Sequence, residues 1–192
     1  MSSNSLKRAR QQQILREAEG YLELLTVFED RWPLPLSQRR PLAERALRLL
    51  QKAGYRHGQH ARRWFLEGYA LRVLEEYEQA IEPLEMAADL APEDISIWLM
   101  LGWCYKRCGR VDQAIAALEN ALEYEPGEAI LYYNLACYWS LAGSVGKTLH
   151  FLSRAFQIDP NYRDMVADEP DFDPVRDDPA FVAAMSRSAC EH

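Results

Sequence analysis

Apolar side chains return every three or four residues along most of the chain, which is the spacing of one face of an amphipathic helix. Gly109 and Gly143 interrupt this pattern at points where short turns between helices are expected. The pattern predicts three first helices, at 61–74, 95–108 and 129–142, and three second helices, at 78–91, 112–125 and 145–158.

The predicted helix pairs repeat with a period of 34 residues, in gapless blocks at 61–94, 95–128 and 129–162. Equivalent positions agree in size, as in the sets Trp64, Trp98 and Tyr132; Gly68, Gly102 and Ala136; Ala87, Ala121 and Ala155; and Pro92, Pro126 and Pro160. Small side chains let two antiparallel helices approach closely, and large ones fill the space between one block and the next. One block cannot bury its apolar face alone, so stacked blocks are expected to share a core.

The three blocks resemble the tetratricopeptide repeat, a helix–turn–helix unit of the same length. The resemblance covers residues 61–162. It implies an all-α fold, a right-handed α-solenoid of helix–turn–helix repeats with N- and C-terminal helical extensions. In this family the first helices line a concave face, and extended peptides usually bind there.

Residues 1–60 are predicted to form N-terminal helices, a degenerate repeat with an insertion. Ala46, Leu50 and Ala53 continue the repeat phase upstream, which predicts a second helix at 40–53. Its first helix is expected at 6–29, and the proline-punctuated stretch RWPLPLSQRRP between them is expected to be irregular.

Residues 163–192 are predicted to form an acidic C-terminal segment with a short capping helix. The helix is expected from Pro179 to Met185, with Asp178 as its N-cap and a proline at its first position. Phe172 and Phe181 favour docking of this segment on the repeats over a detached tail.

By the resemblance, a peptide-binding groove is expected on the inward positions of the first helices, which are Arg62, Phe65, Tyr69, Arg72, Leu99, Trp103, Lys106, Ile130, Tyr133 and Cys137. The alternative is that several of these side chains pack on each other or under the N-terminal helix. One subfamily holds a partner's terminal carboxylate with a clamp of Lys, Arg and Asn side chains. The clamp is absent here, because those positions carry Phe65, Tyr69, Met100, Ile130 and Asn134.

The net charge of −7 argues against nucleic acid as a partner of the whole molecule. The charge is uneven, since residues 1–63 carry 13 Lys and Arg against 6 Asp and Glu. The basic end is expected to be a solvated charged helix, and the alternatives are that it docks on an acidic partner, on a second copy, or on the acidic end of the same chain. No secretory signal or membrane span is visible, and four cysteines without a signal suit a reducing compartment, so a cytoplasmic location is expected.

Three short motifs suggest chemistry, and each is incomplete. The stretch GSVGKT at 143–148 has Leu141 where a phosphate-binding loop needs its first glycine, and it joins two helices. Cys104 and Cys108 share a helix side but have no second ligand pair for zinc, and the aspartates of DEPDFDP lack the spacing of a calcium loop. No catalytic site, metal or cofactor is therefore expected.

The function expected from the sequence is a non-enzymatic protein–protein interaction module, an adaptor or assembly factor that binds a peptide segment in its concave groove. The basic flank and the aromatic floor suit a partner segment with apolar anchors and acidic residues. Two alternatives stay open. One is a chaperone of the type III secretion class for a translocator client, and the other is a self-associating scaffold, for example a homodimer.

Overall fold

The computed structural model describes residues 3–26, 34–53 and 61–187 of the chain. Within these ranges all regular secondary structure is helical, as the sequence predicts. The helices are α1 (Ser3–Thr26), α2 (Leu36–Ala53), α3 (Ala61–Val73), α4 (Tyr77–Leu90), α5 (Ile95–Arg107), α6 (Val111–Tyr124), α7 (Ala129–Leu141), α8 (Val145–Ile158), α9 (Tyr162–Met165) and α10 (Pro179–Arg187), with a 3₁₀ turn at Pro170–Phe172.

Each predicted helix pair is present, because α3 and α4, α5 and α6, and α7 and α8 begin and end close to the expected residues. The turns inside the pairs need a left-handed residue, with φ of 73° at both Gly109 and Gly143. The second helices end where a proline follows. Ala91, Glu125 and Asp159 leave the helical conformation directly before that proline, whose ring disfavours helical geometry in the preceding residue.

The chain divides into two compact units, Met1–Cys104 and Tyr105–His192, called here the first and the second unit. In the first unit α1 packs against α2, α2 against α3 and α3 against α4. Its core contains the fully buried leucines Leu22, Leu50, Leu66 and Leu84. Gly68 of α3 lies so close to α4 that a Cβ atom added to it would be 2.5 Å from Cγ of Leu84. The small residue at this position therefore sets how closely the two helices approach.

In the second unit α6 packs against α7 and α7 against α8. Leu131, Leu135 and Leu152 are fully buried between these helices. The C-terminal residues close this core. Phe172 and Phe181 are 0% and 3% exposed, so both aromatic side chains are buried in this unit. We call residues 162–187 the C-terminal cap.

Two predicted boundaries differ from the structure. Helix α1 begins at Ser3 rather than at residue 6, and the last part of the expected helix, 27–29, lies outside the described residues. The expectation of an irregular stretch up to residue 41 is wrong from Leu36 onward, because α2 begins there and contains Pro41, whereas residues 34–35 are irregular as expected. Pro41 is exposed, so water can satisfy the one carbonyl that loses its helical hydrogen bond.

The predicted capping helix is present as α10. The side chain of Asp178 accepts a hydrogen bond from the backbone N–H of Ala180 at 2.8 Å, as an N-cap residue does. Among the helices that the structure describes, none is both long and apolar enough to cross a membrane.

Candidate functional site

The ten predicted groove residues fall in both compact units. Six lie in the first unit on α3 and α5, namely Arg62, Phe65, Tyr69, Arg72, Leu99 and Trp103. Four lie in the second unit on the end of α5 and on α7, namely Lys106, Ile130, Tyr133 and Cys137. The two groups have different surroundings.

The N-terminal helix α1 lies next to Arg62 and Phe65. Helix α1 packs against α3, and Glu19 of α1 forms an ion pair with Arg62. Phe65 is half-buried and packs against the core that α1, α2 and α3 share. Of these two residues, Phe65 is therefore partly covered, whereas the side chain of Arg62 is 54% exposed.

Arg72 is the centre of an aromatic cluster in the first unit. Its guanidinium carbon lies 5.2 Å from the ring centroid of Tyr69 and 5.1 Å from that of Trp103. Tyr77 meets Trp103 edge to face, with centroids 5.0 Å apart. Stacking between two rings fixes the position of the cation. Arg72, Leu99 and Trp103 are half-buried, so the cluster joins a positioned cation to partly accessible apolar surface.

The C-terminal cap covers the residues of the second unit. Lys106 Nζ lies 2.6 Å from Oδ2 of Asp171 and 6.0 Å from the ring of Tyr138. Tyr133 contacts Tyr162 and Phe172, with ring centroids 4.9 Å and 5.7 Å apart. Tyr133 and Cys137 are buried, at 3% and 2% exposure, and Ile130 is half-buried. This part of the first-helix face is therefore occupied by the chain itself.

Arg176 holds together the loop at residues 166–176 of the C-terminal cap, called here the cap loop. The guanidinium of Arg176 donates hydrogen bonds to the carbonyl oxygens of Val166, Ala167 and Glu169 at 3.3, 3.0 and 2.7 Å. Its Nε donates to Oδ1 of Asp173 at 3.0 Å. The carboxylate of Glu169 accepts the N–H of Asp171, which starts the 3₁₀ turn at Pro170–Phe172. The loop thus presents Asp171 and Phe172 to α7 and Lys106 in one fixed conformation.

Burial suppresses ionisation beneath the cap. It raises the pKa of the Cys137 thiol, and the carboxylates of Glu169 and Asp171 raise it further. The pKa of Tyr133 is also raised, chiefly by burial. A thiol kept neutral is a poor nucleophile, so Cys137 does not have the character of a reactive cysteine.

The phosphate-loop-like stretch at 143–148 covers the end of the turn between α7 and α8 and the first four residues of α8. Gly143 is the left-handed residue, and the hydroxyl of Thr148 donates to the carbonyl of Ser144 at 2.9 Å. The ammonium of Lys147 lies 3.4 Å from the ring centroid of Trp139. Across the described residues no group of three or more His, Cys, Asp or Glu side chains is arranged to hold a metal ion.

The role of Asp171 was missed by the sequence analysis, which considered this residue only as part of a calcium cluster. Its partner Lys106 is 65 residues away, and the loop that carries Asp171 has no counterpart in the repeat. The adjacent Asp171 and Phe172 could have indicated this contact, because an acidic and an aromatic side chain complement the basic and aromatic face that the sequence predicts.

Residues 71–136 match the sequence pattern of the tetratricopeptide repeat. This matched part of the chain therefore carries tetratricopeptide repeat sequence. Solved structures with the same fold include YrrB, described as a tetratricopeptide repeat protein with an unusual peptide-binding site. YrrB shares 24% sequence identity, with a TM-score of 0.57, and the match covers 76% of this chain and 70% of YrrB.

MamA structures show the same fold. One shares 20% identity with a TM-score of 0.60, covering 85% of this chain and 98% of MamA. Another, MamA from residue 41 to the end from Desulfovibrio magneticus RS-1, shares 21% identity with a TM-score of 0.57, covering 82% and 95% of the two chains. No curated protein sequence matches the chain.

Proposed function

We propose that this chain is a non-enzymatic interaction module that binds a segment of a partner protein on its first-helix face. The contact would centre on Arg72, Leu99 and Trp103 in the first unit. The observation that carries the proposal is the stacking of Arg72 between Tyr69 and Trp103 on a half-buried surface. Peptide binding by YrrB, which has the same fold, supports it.

The cluster has the composition of a binding hot spot. Tryptophan, tyrosine and arginine are the residues that most often dominate binding energy, since each gives a large contact area and a directed polar group. A guanidinium held by two rings loses little freedom when a carboxylate binds it, and it can hold both carboxylate oxygens. A partner segment with an apolar anchor and an acidic residue suits this arrangement.

The remaining groove residues would have supporting roles. Arg62 and Phe65, next to α1, would border the contact. Tyr69 would hold Arg72 in place. Lys106, Tyr133 and Cys137, with Ile130 beside them, would serve only to hold the cap that covers them and would take no part in binding the partner.

Peptide selection tests the proposal. A random-peptide phage library is panned on the immobilised full chain, and enriched peptides are synthesised and titrated by fluorescence anisotropy. Trp103→Ala should weaken their binding by about 2 kcal/mol or more, as a hot-spot tryptophan does.

Trp139→Ala is the matched control, because Trp139 is also a half-buried tryptophan on a first helix but lies beside Lys147 in the second unit. Circular dichroism must show both variants to be folded. The proposal fails if no peptide is enriched, or if enriched peptides bind the folded Trp103→Ala variant as tightly as the parent.

A further inference from the structure

The cap places one acidic and one aromatic side chain on the first-helix face of the second unit. Asp171 meets the ammonium of Lys106 at 2.6 Å, and the adjacent Phe172 meets Tyr133 edge to face with 84° between the rings. Phe172 is fully buried there. The second unit thus contains a bound example of a segment on this face, presented in a 3₁₀ turn.

Lys106 and Tyr133, which meet this pair, and Cys137, one helical turn after Tyr133 on α7, have counterparts 34 residues earlier, one repeat upstream. Lys106 corresponds to Arg72, and Tyr133 corresponds to Leu99. Cys137 corresponds to Trp103. The first unit therefore carries a cation and apolar contacts at the positions that hold Asp171 and Phe172 in the second unit.

The chemistry of the upstream positions suits the same ligand. At the position of Lys106 the upstream repeat has Arg72, whose guanidinium can bind a carboxylate through two parallel hydrogen bonds. At the position of Cys137 the upstream repeat has Trp103, which offers a large aromatic surface. An aromatic ring of a ligand would pack on this surface edge to face or offset. Leu99 adds apolar area in place of Tyr133.

We infer that the partner segment carries an acidic residue directly followed by an aromatic residue, in a short turn, and that this pair binds Arg72, Leu99 and Trp103. The inference rests on the proposed function and specifies its partner. It uses the cap as an internal example of the ligand, bound at the equivalent positions of the next repeat.

The cap itself is not expected to give way to the partner. Four hydrogen bonds from Arg176 hold its loop, and the cap's own side chains Val166, Phe172, Val175 and Phe181 are buried. A competing segment would have to expose these apolar side chains to water, which is costly. The upstream positions are therefore the expected site for a segment from outside.

The test uses a fluorescein-labelled peptide with the sequence of residues 166–176, VADEPDFDPVR, titrated with the full chain by anisotropy. We expect the parent to bind this peptide. Arg72→Gln should weaken binding by about tenfold or more, since it removes the charge that meets the carboxylate. Peptides with Asn in place of the residue equivalent to Asp171, or Ala in place of that equivalent to Phe172, should bind about tenfold more weakly as well.

Lys106→Gln is the matched control, because it removes the corresponding cation one repeat downstream. Binding should stay within about twofold of the parent in this variant. Trp103→Leu provides a second test of the upstream positions if Arg72→Gln is not folded by circular dichroism. The inference is overturned if the peptide does not bind at roughly millimolar concentration. It is also overturned if Lys106→Gln rather than Arg72→Gln abolishes binding, since the peptide would then be replacing the cap.

The peptide selection separates this inference from the proposed function. Selected peptides that depend on Trp103 and share an acidic–aromatic pair support both. Selected peptides that depend on Trp103 but lack the pair leave the proposed function standing and overturn the inference. No peptide dependent on Trp103 overturns the proposed function, and the inference with it.

Discussion

At the scale of single residues, the fold depends on small side chains at fixed places. Gly68 has no room for a methyl group, because Leu84 Cγ would lie 2.5 Å and the backbone oxygen of Ala80 3.2 Å from an added Cβ. Gly20 in α1 has no such neighbour within 4 Å. Alanine substitutions at the two glycines therefore distinguish the effect of close packing on stability from the ordinary effect of replacing glycine in a helix.

Gly68→Ala is expected to destabilise the chain by about 1–3 kcal/mol. The added methyl overpacks the contact between α3 and α4, and this outweighs the gain of up to about 1 kcal/mol that alanine brings to a helix. Urea unfolding measures the effect. Gly20→Ala is the control and should stabilise by about 0.5–1 kcal/mol. Equal stabilisation by both substitutions would contradict the close approach at Gly68.

Tyr133→Phe tests the burial beneath the cap. The folded pKa of Tyr133 is raised above its usual 10.0, so the hydroxyl ionises in the unfolded chain first. This ionisation leaves the free energy of unfolding unchanged below about pH 10 and lowers it as pH rises toward the folded pKa, by up to about 1.4 kcal/mol per pH unit. Removing the hydroxyl should lessen the fall in unfolding free energy above about pH 10.

At neutral pH the same substitution should leave stability unchanged or raise it. The hydroxyl of Tyr133 is buried and has no hydrogen-bond partner among the described residues, so phenylalanine loses no bond. Guanidinium unfolding between about pH 7 and pH 11 measures both effects. Tyr124→Phe, at an exposed tyrosine, controls for the loss of a hydroxyl elsewhere. If the free energy of unfolding of Tyr133→Phe falls above about pH 10 as steeply as that of the parent, the hydroxyl is not buried as described.

The sequence identified the turn glycines but not the residue that replaces them in the first repeat. Gly109 and Gly143 are 34 residues apart, and the equivalent position upstream is Glu75. Glu75 has φ of 65° although it is not a glycine. The repeat imposes this conformation through its packing, which local sequence preference alone does not reveal.

At the scale of the elements, the helices were predictable and the cap was not. Helices α3 to α8 have regular apolar spacing, which identifies a helix without knowledge of its neighbours. The start of α2 was missed because its prolines suggest a break, and an exposed Pro41 is tolerated inside the helix. The cap loop depends on contacts of Asp171 and Arg176. The contact of Asp171 with Lys106 joins residues far apart in sequence, and the contacts of Arg176 follow no repeat period, so the sequence pattern indicates neither.

Arg176→Gln tests whether one arginine organises the cap. The variant should lose about 1–3 kcal/mol of stability, because three backbone carbonyls lose a charged donor and the side chain is only partly exposed. Arg154→Gln is the matched control, since exposed Arg154 donates to the side chain of Gln157. Thermal unfolding compares them. Equal stability of the two variants would contradict a role for Arg176 in holding the loop.

At the scale of the whole molecule, much of the basic charge of the N-terminal part is used internally. Arg62 pairs with Glu19, Arg45 with Glu17 and Arg39 with Glu75, all within the first unit. Such partly exposed pairs contribute little to stability, and they lower the charge that the first unit presents to a partner. On a chain of net charge −7, we therefore expect an acidic segment to be attracted by local cations of the binding face rather than by the overall charge.

The most direct test of the proposed binding face is to locate a bound peptide on the full chain by NMR. A peptide from the phage selection is titrated into uniformly ¹⁵N-labelled protein, and changes in backbone amide and tryptophan indole shifts are mapped onto the sequence. We expect the largest changes at Arg72, Leu99 and Trp103, with small changes across α7 and the C-terminal cap. Changes centred on the cap, or on the second helices α4, α6 and α8, would contradict binding at the first-helix face of the first unit.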